Sequence, residues 1–409
     1  MISVAIMGHG VVGSGVAEIL TTHKQKLFAS IGEEIYVKHI LDLREFPDSP
    51  LADRFTKDFN DILNDREVRV VVEVMGGINP AYDFVKKCLK SGKSVVTSNK
   101  ELVAAHGAEL LQIAKDENVN FLFEASVGGG IPIIRPISQC LVANIVDEIA
   151  GILNGTTNFI LTKMIEDGMQ FDAALKLAQD LGFAERNPAA DIEGHDACRK
   201  ICILASLAFG KHVYPNFVHT EGITEITLED VKYAEAYNCV IKLIGRVKRL
   251  DDGKIDIIVA PMFVPNKSQL ANIDYEFNGI MVRGDCTGDV VFYGKGAGKL
   301  PTASAVVADV VDCCKHLKTR KFLFWADGNG DNILPYEESV TAMYIRANTT
   351  FELAQEVFGC IDKIEKADSP EGEIAFVTAQ LPYGEIIEKI AALESRGAKV
   401  ISKIRIGDL

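Results

Sequence analysis

Residues 182–200, GFAERNPAADIEGHDACRK, gather carboxylates ahead of a lysine, and that lysine closes the most chemically suggestive stretch of the chain. From Asp196 the run DACRKICILASLAF contains no Gly or Pro and repeats apolar residues at Ala197, Ile201, Leu204, Ala205 and Ala208, the period of a buried helix. Lys200 falls inside that stripe, with Asp196 four residues earlier on the same face. Burial lowers the proton affinity of a lysine and a neighbouring carboxylate raises it, so the two effects oppose. A lysine balanced in this way exchanges a proton near neutral pH, as a general acid/base must. An isolated Asp/Lys pair at this spacing is more often an exposed ion pair, so the rest of the sequence has to decide. Asp191 and Glu193 read as helix-entry acids that suit the helix dipole.

The elements that would position such a site begin at the N-terminus. A short apolar strand, Ser3–Ile6, runs into Gly8-His9-Gly10-Val11-Val12-Gly13 and then into a helix. In that order Gly8 permits a tight turn, Gly10 lets a pyrophosphate approach the backbone and Gly13 lets strand and helix pack closely. A second strand ends in Asp42, at the distance expected of a ribose-binding acid and suited to NAD; Arg44 or Lys57 could pair with a 2′-phosphate and suit NADP. The choice stays open. Strands and helices keep alternating through VRVVVEVMGG, KSVVTSNK and NFLFEASVGGG, which predicts a doubly wound parallel sheet of the Rossmann type. Ligands bind beyond the carboxyl ends of such strands, here Gly76-Gly77, Thr97–Lys100 and Glu124–Gly130.

From about Ile131 the pattern becomes strand-like segments separated by helices, which predicts a second, α+β domain on a mixed or antiparallel sheet. A helix after the glycine turn 294–298 could return to cover the first domain. The tail, from about 339, has βαββαβ order and predicts a small ferredoxin-like module. The expected organisation is a nucleotide-binding domain at 1–130 completed by 296–320, a catalytic and dimerisation domain at 131–319, a linker at 320–338 and the module at 339–409.

A net charge of −14 argues against wholesale binding to a nucleic-acid backbone. The N-terminal segment lacks a basic n-region and a small-residue cleavage site, and no apolar run reaches spanning length, so neither export nor a membrane anchor is expected and the location reads as cytoplasmic. Nine cysteines form no CxxC pair and read as reduced, mostly buried thiols. Cys198 and Cys202 share a helix face, with His195 nearby, but a metal there would lack further ligands.

Taken in order, the turn at Gly8–Gly13, TSNKELVA at 97–104, EASVGGGIPII at 124–134, GILNGTTNFIL at 151–161, residues 182–200 and YGKGAGKLPTASAVVADVV at 293–311 resemble the homoserine dehydrogenases across essentially the whole chain. The resemblance implies reversible NAD(P)-dependent hydride transfer between L-homoserine and L-aspartate 4-semialdehyde, on the route to threonine, methionine and isoleucine. It implies Lys200 as the acid/base, with Asp196 beside it in the catalytic group and Lys100 near the reacting oxygen, and substrate contacts from Glu185, Asp196, Asn154, Gly155 and Thr156. It implies cofactor contacts from Gly8, Gly10, Val11, Val12, Gly13, Asp42, Arg44, Thr97, Ser98, Lys100, Gly182 and Gly296. It further implies a monovalent cation, usually sodium, on backbone carbonyls of Glu124, Val127, Gly129 and Ile131. The tail resembles an ACT domain, which implies an amino-acid effector such as threonine, and the family implies a homodimer or homotetramer.

Other readings of these residues stand beside that one. Lys100 could cap the end of its strand in solvent, Asn154–Asn158 could serve as a helix-opening turn, and the loop at 124–131 could be a hinge. Arg186-Asn187-Pro188 and Lys295 depart from the family pattern without touching the acid/base group, and residues 348–352 lack the Asp-x-Pro-Gly turn common in ACT domains. Another NAD(P)-dependent semialdehyde or hydroxy-acid oxidoreductase, or an amino-acid sensor without catalysis, are the competing functions.

Overall fold

The computed structural model describes residues 1–409. The chain forms two compact units: residues 1–145, 202–215 and 294–329 make one, and residues 146–201, 216–293 and 330–409 make the other.

The first unit is built on a six-stranded parallel sheet of β1 (Ile2–Met7), β2 (Ile35–Leu41), β3 (Phe55–Thr56), β4 (Val68–Glu73), β5 (Ser94–Thr97) and β6 (Phe121–Leu122). Their order is β3-β2-β1-β4-β5-β6, with the reversal between β1 and β4 that creates a crevice at the strand ends. Every residue of β1 is buried, as expected of a strand covered by helices on both faces. The edge strand β3 had no signal in the sequence because two residues carry no periodicity. The last strand is also shorter than its apolar run suggests: after Leu122 the chain turns through a 3-10 segment, Glu124–Ser126.

The helix Lys299–Lys315 returns to this unit and packs on the helix Val11–Thr22. The approach is close because Gly15 lacks a side chain: a Cβ there would stand 3.0 Å from Ala303 Cβ. Within residues 320–338, Trp325 is buried and donates through Nε1 to His212 Nδ1 at 2.8 Å, while His212 Nε2 lies 2.9 Å from the Ala104 carbonyl.

The second unit carries a mixed sheet. Its main path runs through β7 (Val146–Ile152), β8 (Cys239–Arg249), β9 (Ile255–Pro265), β10 (Phe277–Gly284), β11 (Gly288–Lys295), β12 (Met343–Asn348), β13 (Ile361–Lys363), β14 (Glu373–Thr378) and β15 (Lys399–Ile406). The order is β11-β10-β7-β8-β9-β15-β12-β14-β13. Most neighbours are antiparallel, and β9 and β15 pair in parallel over Met262–Phe263 and Arg405–Ile406. The tail has the predicted βαββαβ order, with helices Phe351–Phe358 and Tyr383–Ser395 packed on one face of its strands. All nine cysteines are free thiols. No helix is long and apolar enough to cross a membrane.

Candidate active site

In the second unit, β7 ends at Ile152 and the chain passes through Leu153 and Asn154 into the helix Gly155–Asp167. Asn154 is the N-cap, its side chain accepting from the Thr157 amide at 2.8 Å. The same amide side chain donates to Asp191 Oδ1 at 2.7 Å and to Asp196 Oδ2 at 2.9 Å. Asn154 therefore ends one helix and fixes two carboxylates. Lys200, 7% exposed, donates through Nζ to Asp196 Oδ2 at 2.8 Å and to the Leu153 carbonyl at 2.7 Å. The exposed-ion-pair reading of this lysine fails on burial. Gly245 on β8 makes room for the arrangement, because a Cβ there would stand 2.8 Å from Leu153 Cδ1 and 3.3 Å from Ile201 Cβ.

Thr156 anchors the following loop by donating to the Phe183 carbonyl at 2.6 Å. That loop carries Gly182, at φ +79°, and Glu185, both exposed. Gly155 has no room for a side chain, since a Cβ would stand 2.5 Å from the Glu276 carbonyl oxygen. The turn behind it is held by buried Lys242, whose Nζ donates to the Ile273 carbonyl at 2.6 Å and to Asp274 at 3.0 Å. Asp191 joins this cluster although its sequence position reads as a helix-entry acid. It lies in a short helix, Ala189–Ile192, and its partner Asn154 is thirty-seven residues away in the chain, so spacing carried no signal for it.

In the first unit, Gly8 at φ +98° and Gly13 form the expected turn, and a Cβ at Gly13 would collide with the Gly8 carbonyl at 2.0 Å. Gly10 faces open space and the helix start at Val11 has no side-chain cap, so its amides are left to an anion. A cavity of about 570 Å³ lies here, lined by Gly8, Gly10, Asp42, Arg44, Lys57 and Met75 among others. These residues fit a dinucleotide. Asp42 accepts from the amides of His9 at 2.8 Å and Arg44 at 3.0 Å, and the Arg44 guanidinium grips both its oxygens at 3.0 and 2.9 Å. The guanidinium, with the backbone donors, holds the Asp42 carboxyl well below the usual carboxylate range against the effect of burial.

Thr97 is fully buried at the end of β5, Ser98 follows it, and Lys100 is the first residue of the helix Lys100–Asp116, capped by Asn99. The loop at 124–131 packs on the second glycine turn: a Cβ at Gly129 would stand 2.2 Å from the Gly296 carbonyl oxygen, and the Gly130 amide donates to the Lys295 carbonyl at 3.0 Å. The Glu124 carboxylate accepts the amides of Ile133, Ile134 and Arg135 at 2.6, 2.8 and 2.9 Å. Its charge is spent on those donors, so a cation at this loop would depend on carbonyl oxygens, a donor set that suits a hard ion.

A buried lysine–carboxylate pair in one unit and a dinucleotide turn in the other match two family models, "Homoserine dehydrogenase, NAD binding domain" over residues 8–124 and "Homoserine dehydrogenase" over residues 132–311. The chain belongs to the homoserine dehydrogenase family. Homoserine dehydrogenase of Neisseria gonorrhoeae is 37% identical over 431 aligned positions, covering 100% of this chain and 99% of that protein. The Bacillus subtilis homoserine dehydrogenase is 42% identical over 320, covering 78% and 74%. The crystal structure of a homoserine dehydrogenase from Thiobacillus denitrificans superposes with a TM-score of 0.90 at 36% identity, covering 100% of this chain and 98% of that one. A hyperthermophilic archaeal homoserine dehydrogenase, solved in complex with NADPH, gives a TM-score of 0.65 at 27% identity over 76% of this chain and 97% of its own. As a homoserine dehydrogenase the chain is an NAD(P)-dependent oxidoreductase acting on a small-molecule substrate.

Proposed function

We propose that Lys200 is the acid/base of reversible oxidation of L-homoserine to L-aspartate 4-semialdehyde. The observation that carries this is its burial beside Asp196 with the Leu153 carbonyl and Asp196 fixing its nitrogen at 2.7 and 2.8 Å. In its neutral form the nitrogen accepts the hydroxyl proton of homoserine, and in reverse the ammonium returns it to the aldehyde oxygen. The bound nicotinamide supplies the hydride acceptor or donor at C4 of the substrate. Asp196 and Glu185, with Asn154, Gly155 and Thr156, hold the amino-acid end through charge-assisted hydrogen bonds, and Asp191, tied to Asn154, belongs with them. Lys100 is assigned a contact to the reacting oxygen on the family pattern TSNKELVA at 97–104.

Gly8, Gly10, Val11, Val12 and Gly13 would hold the cofactor, with Asp42 and Arg44 for the ribose and Thr97, Ser98 and Lys100 at the strand end, and the family pattern assigns Gly182 and Gly296 to the nicotinamide. Arg44 favours NADP over NAD, because Asp42 already spends both oxygens on protein donors. The carbonyls of Glu124, Val127, Gly129 and Ile131 would hold a sodium ion, whose charge would stabilise the loop beside Gly296. Residues 339–409, which continue the sheet of the second unit, act as an ACT-like module that takes an amino-acid effector such as threonine, distinct in role from the parts at 1–130 with 296–320 and 131–319. The half-exposed edge strand β11 is suited to pairing with a second copy in a cytoplasmic homodimer or homotetramer.

Glu185→Gln and Asp196→Asn test the substrate assignments. Loss of a charged hydrogen bond costs about 1.5–3 kcal/mol, or roughly a ten- to hundredfold fall in kcat/KM for homoserine. Unchanged kcat/KM in both variants would remove them from the site.

A further inference from the structure

Glu73 ends β4 and is completely buried, yet none of the site assignments uses it. Its Oε1 accepts the amides of Met75 at 2.8 Å and Gly76 at 3.3 Å, and its Oε2 accepts the Thr97 hydroxyl at 2.6 Å. The Asn99 amide donates to Thr97 Oγ1 at 2.9 Å. An amide can only donate, so the Thr97 hydroxyl accepts from Asn99 and must turn its own proton to Glu73. Asn99 also donates from Nδ2 to the Gly77 carbonyl at 2.6 Å and caps the helix that Lys100 opens, its Oδ1 accepting from Leu102 at 3.1 Å. One carboxylate thus clamps the loop after β4 and, through Thr97 and Asn99, the turn that presents Lys100.

We propose that Glu73 is a positioning residue for Lys100: its carboxylate, relayed by Thr97 and Asn99, fixes the turn from which Lys100 reaches the reacting oxygen. The proposal rests on the reading of Lys100 given above. A carboxylate suits this task because it offers acceptors only, matching three donors, whereas an amide in its place would present an N–H where Thr97 donates. A buried carboxyl is expensive to keep charged, and burial does push the Glu73 carboxyl up while its hydrogen bonds pull it back. An apolar residue here would leave the Met75 and Gly76 amides and the Thr97 hydroxyl buried without acceptors.

The test measures kcat for homoserine oxidation, at saturating homoserine and cofactor, in the native chain and in Glu73→Gln, Lys100→Ala, the double variant, Thr97→Val and Thr97→Ser. Misplacement of a reacting group costs up to about a hundredfold, so Glu73→Gln should lower kcat by roughly ten- to a hundredfold in the native background. In the Lys100→Ala background the same substitution should cost less than about twofold, because residues acting as a unit are not additive. Thr97→Val should match Glu73→Gln, and Thr97→Ser, which keeps the hydroxyl, should restore most of the rate. Should Glu73→Gln fail to fold, Thr97→Val and Thr97→Ser are compared in the Lys100→Ala background as well, where Thr97→Val should cost less than about twofold. An equal fold-loss in both backgrounds, an unchanged kcat in Glu73→Gln, or no rescue by Thr97→Ser overturns the proposal while leaving Lys100 in the site. Full turnover in Lys100→Ala removes the reading of Lys100, and this proposal with it.

Discussion

Asn154→Asp replaces one amide nitrogen with an oxygen and leaves the volume and the helix cap intact, since aspartate caps as well as asparagine. The new oxygen would stand where the amide now donates, 2.7 Å from Asp191 Oδ1 and 2.9 Å from Asp196 Oδ2. Two like charges at that separation repel by about 6 kcal/mol at an effective dielectric of 20. Keeping a proton on an ordinary aspartate at pH 7 costs less, about 4 kcal/mol. The cheaper route wins, and the folded variant takes up a proton that the unfolded chain does not hold. The protonated carboxyl can donate to one neighbour only, which adds about 2 kcal/mol for the second lost bond to a charged acceptor. Because its folded affinity for the proton is raised, the variant's deficit is smallest in acid and grows by about 1.4 kcal/mol per pH unit as pH rises above about 4. Denaturant unfolding followed by circular dichroism between pH 5 and 7.5 reads that slope against the native chain. Asn154→Ala, which loses the same donors without adding a charge, should show a deficit that does not change with pH. Parallel pH profiles for Asn154→Asp and Asn154→Ala would refute the reasoning.

Further outcomes follow from the first unit. Burial holds the His212 imidazole below its ordinary value of 6.5, so it is neutral when folded and protonated when unfolded in mild acid. Stability should then fall by about 1.4 kcal/mol per pH unit below pH 6.5, until the folded value is reached. The emission of Trp325, the only tryptophan, reports the transition, and His212→Asn should flatten the slope; an unchanged slope counts against this account. Gly13→Ala should abolish cofactor binding, its Cβ meeting the Gly8 carbonyl at 2.0 Å, whereas Gly10→Ala should leave the melting temperature unchanged and weaken only the cofactor. Fluorescence titration with NADPH reads the lost binding in both, thermal melts without cofactor should show a fall for Gly13→Ala alone, and equal effects on stability would contradict the packing argument. Arg44→Ala should lower kcat/KM for NADP by about tenfold or more, the worth of a charged hydrogen bond, with little change for NAD; a constant cofactor ratio would clear Arg44.

The nucleotide-binding sheet was legible because its signals are local: an apolar strand, three glycines at fixed spacing and a helix lie within twenty-two residues. The Asp196–Lys200 pair was legible for the same reason, being one helical turn on an apolar face. What escaped was set by distant chain. Asp191 acquires its place from Asn154, thirty-seven residues away, and β3 exists only by pairing with β2. Glu73 reads as the last polar residue of a valine-rich strand, and only the convergence of two strand ends brings Thr97 to it. Asp42 stands at the spacing expected of a ribose acid, yet its two oxygens are engaged by Arg44 and His9, a use that spacing alone does not reveal.

The central claim is that Lys200 exchanges the proton of homoserine's hydroxyl. Nicotinamide absorbance followed with L-homoserine, with NAD and NADP supplied separately, tests it in the native chain and in Lys200→Ala. The account predicts homoserine-dependent reduction of the cofactor by the native chain and a fall of at least about a hundredfold in kcat for the variant, the scale of a lost acid/base group. A folded Lys200→Ala that turns over homoserine within a few-fold of the native rate would contradict it.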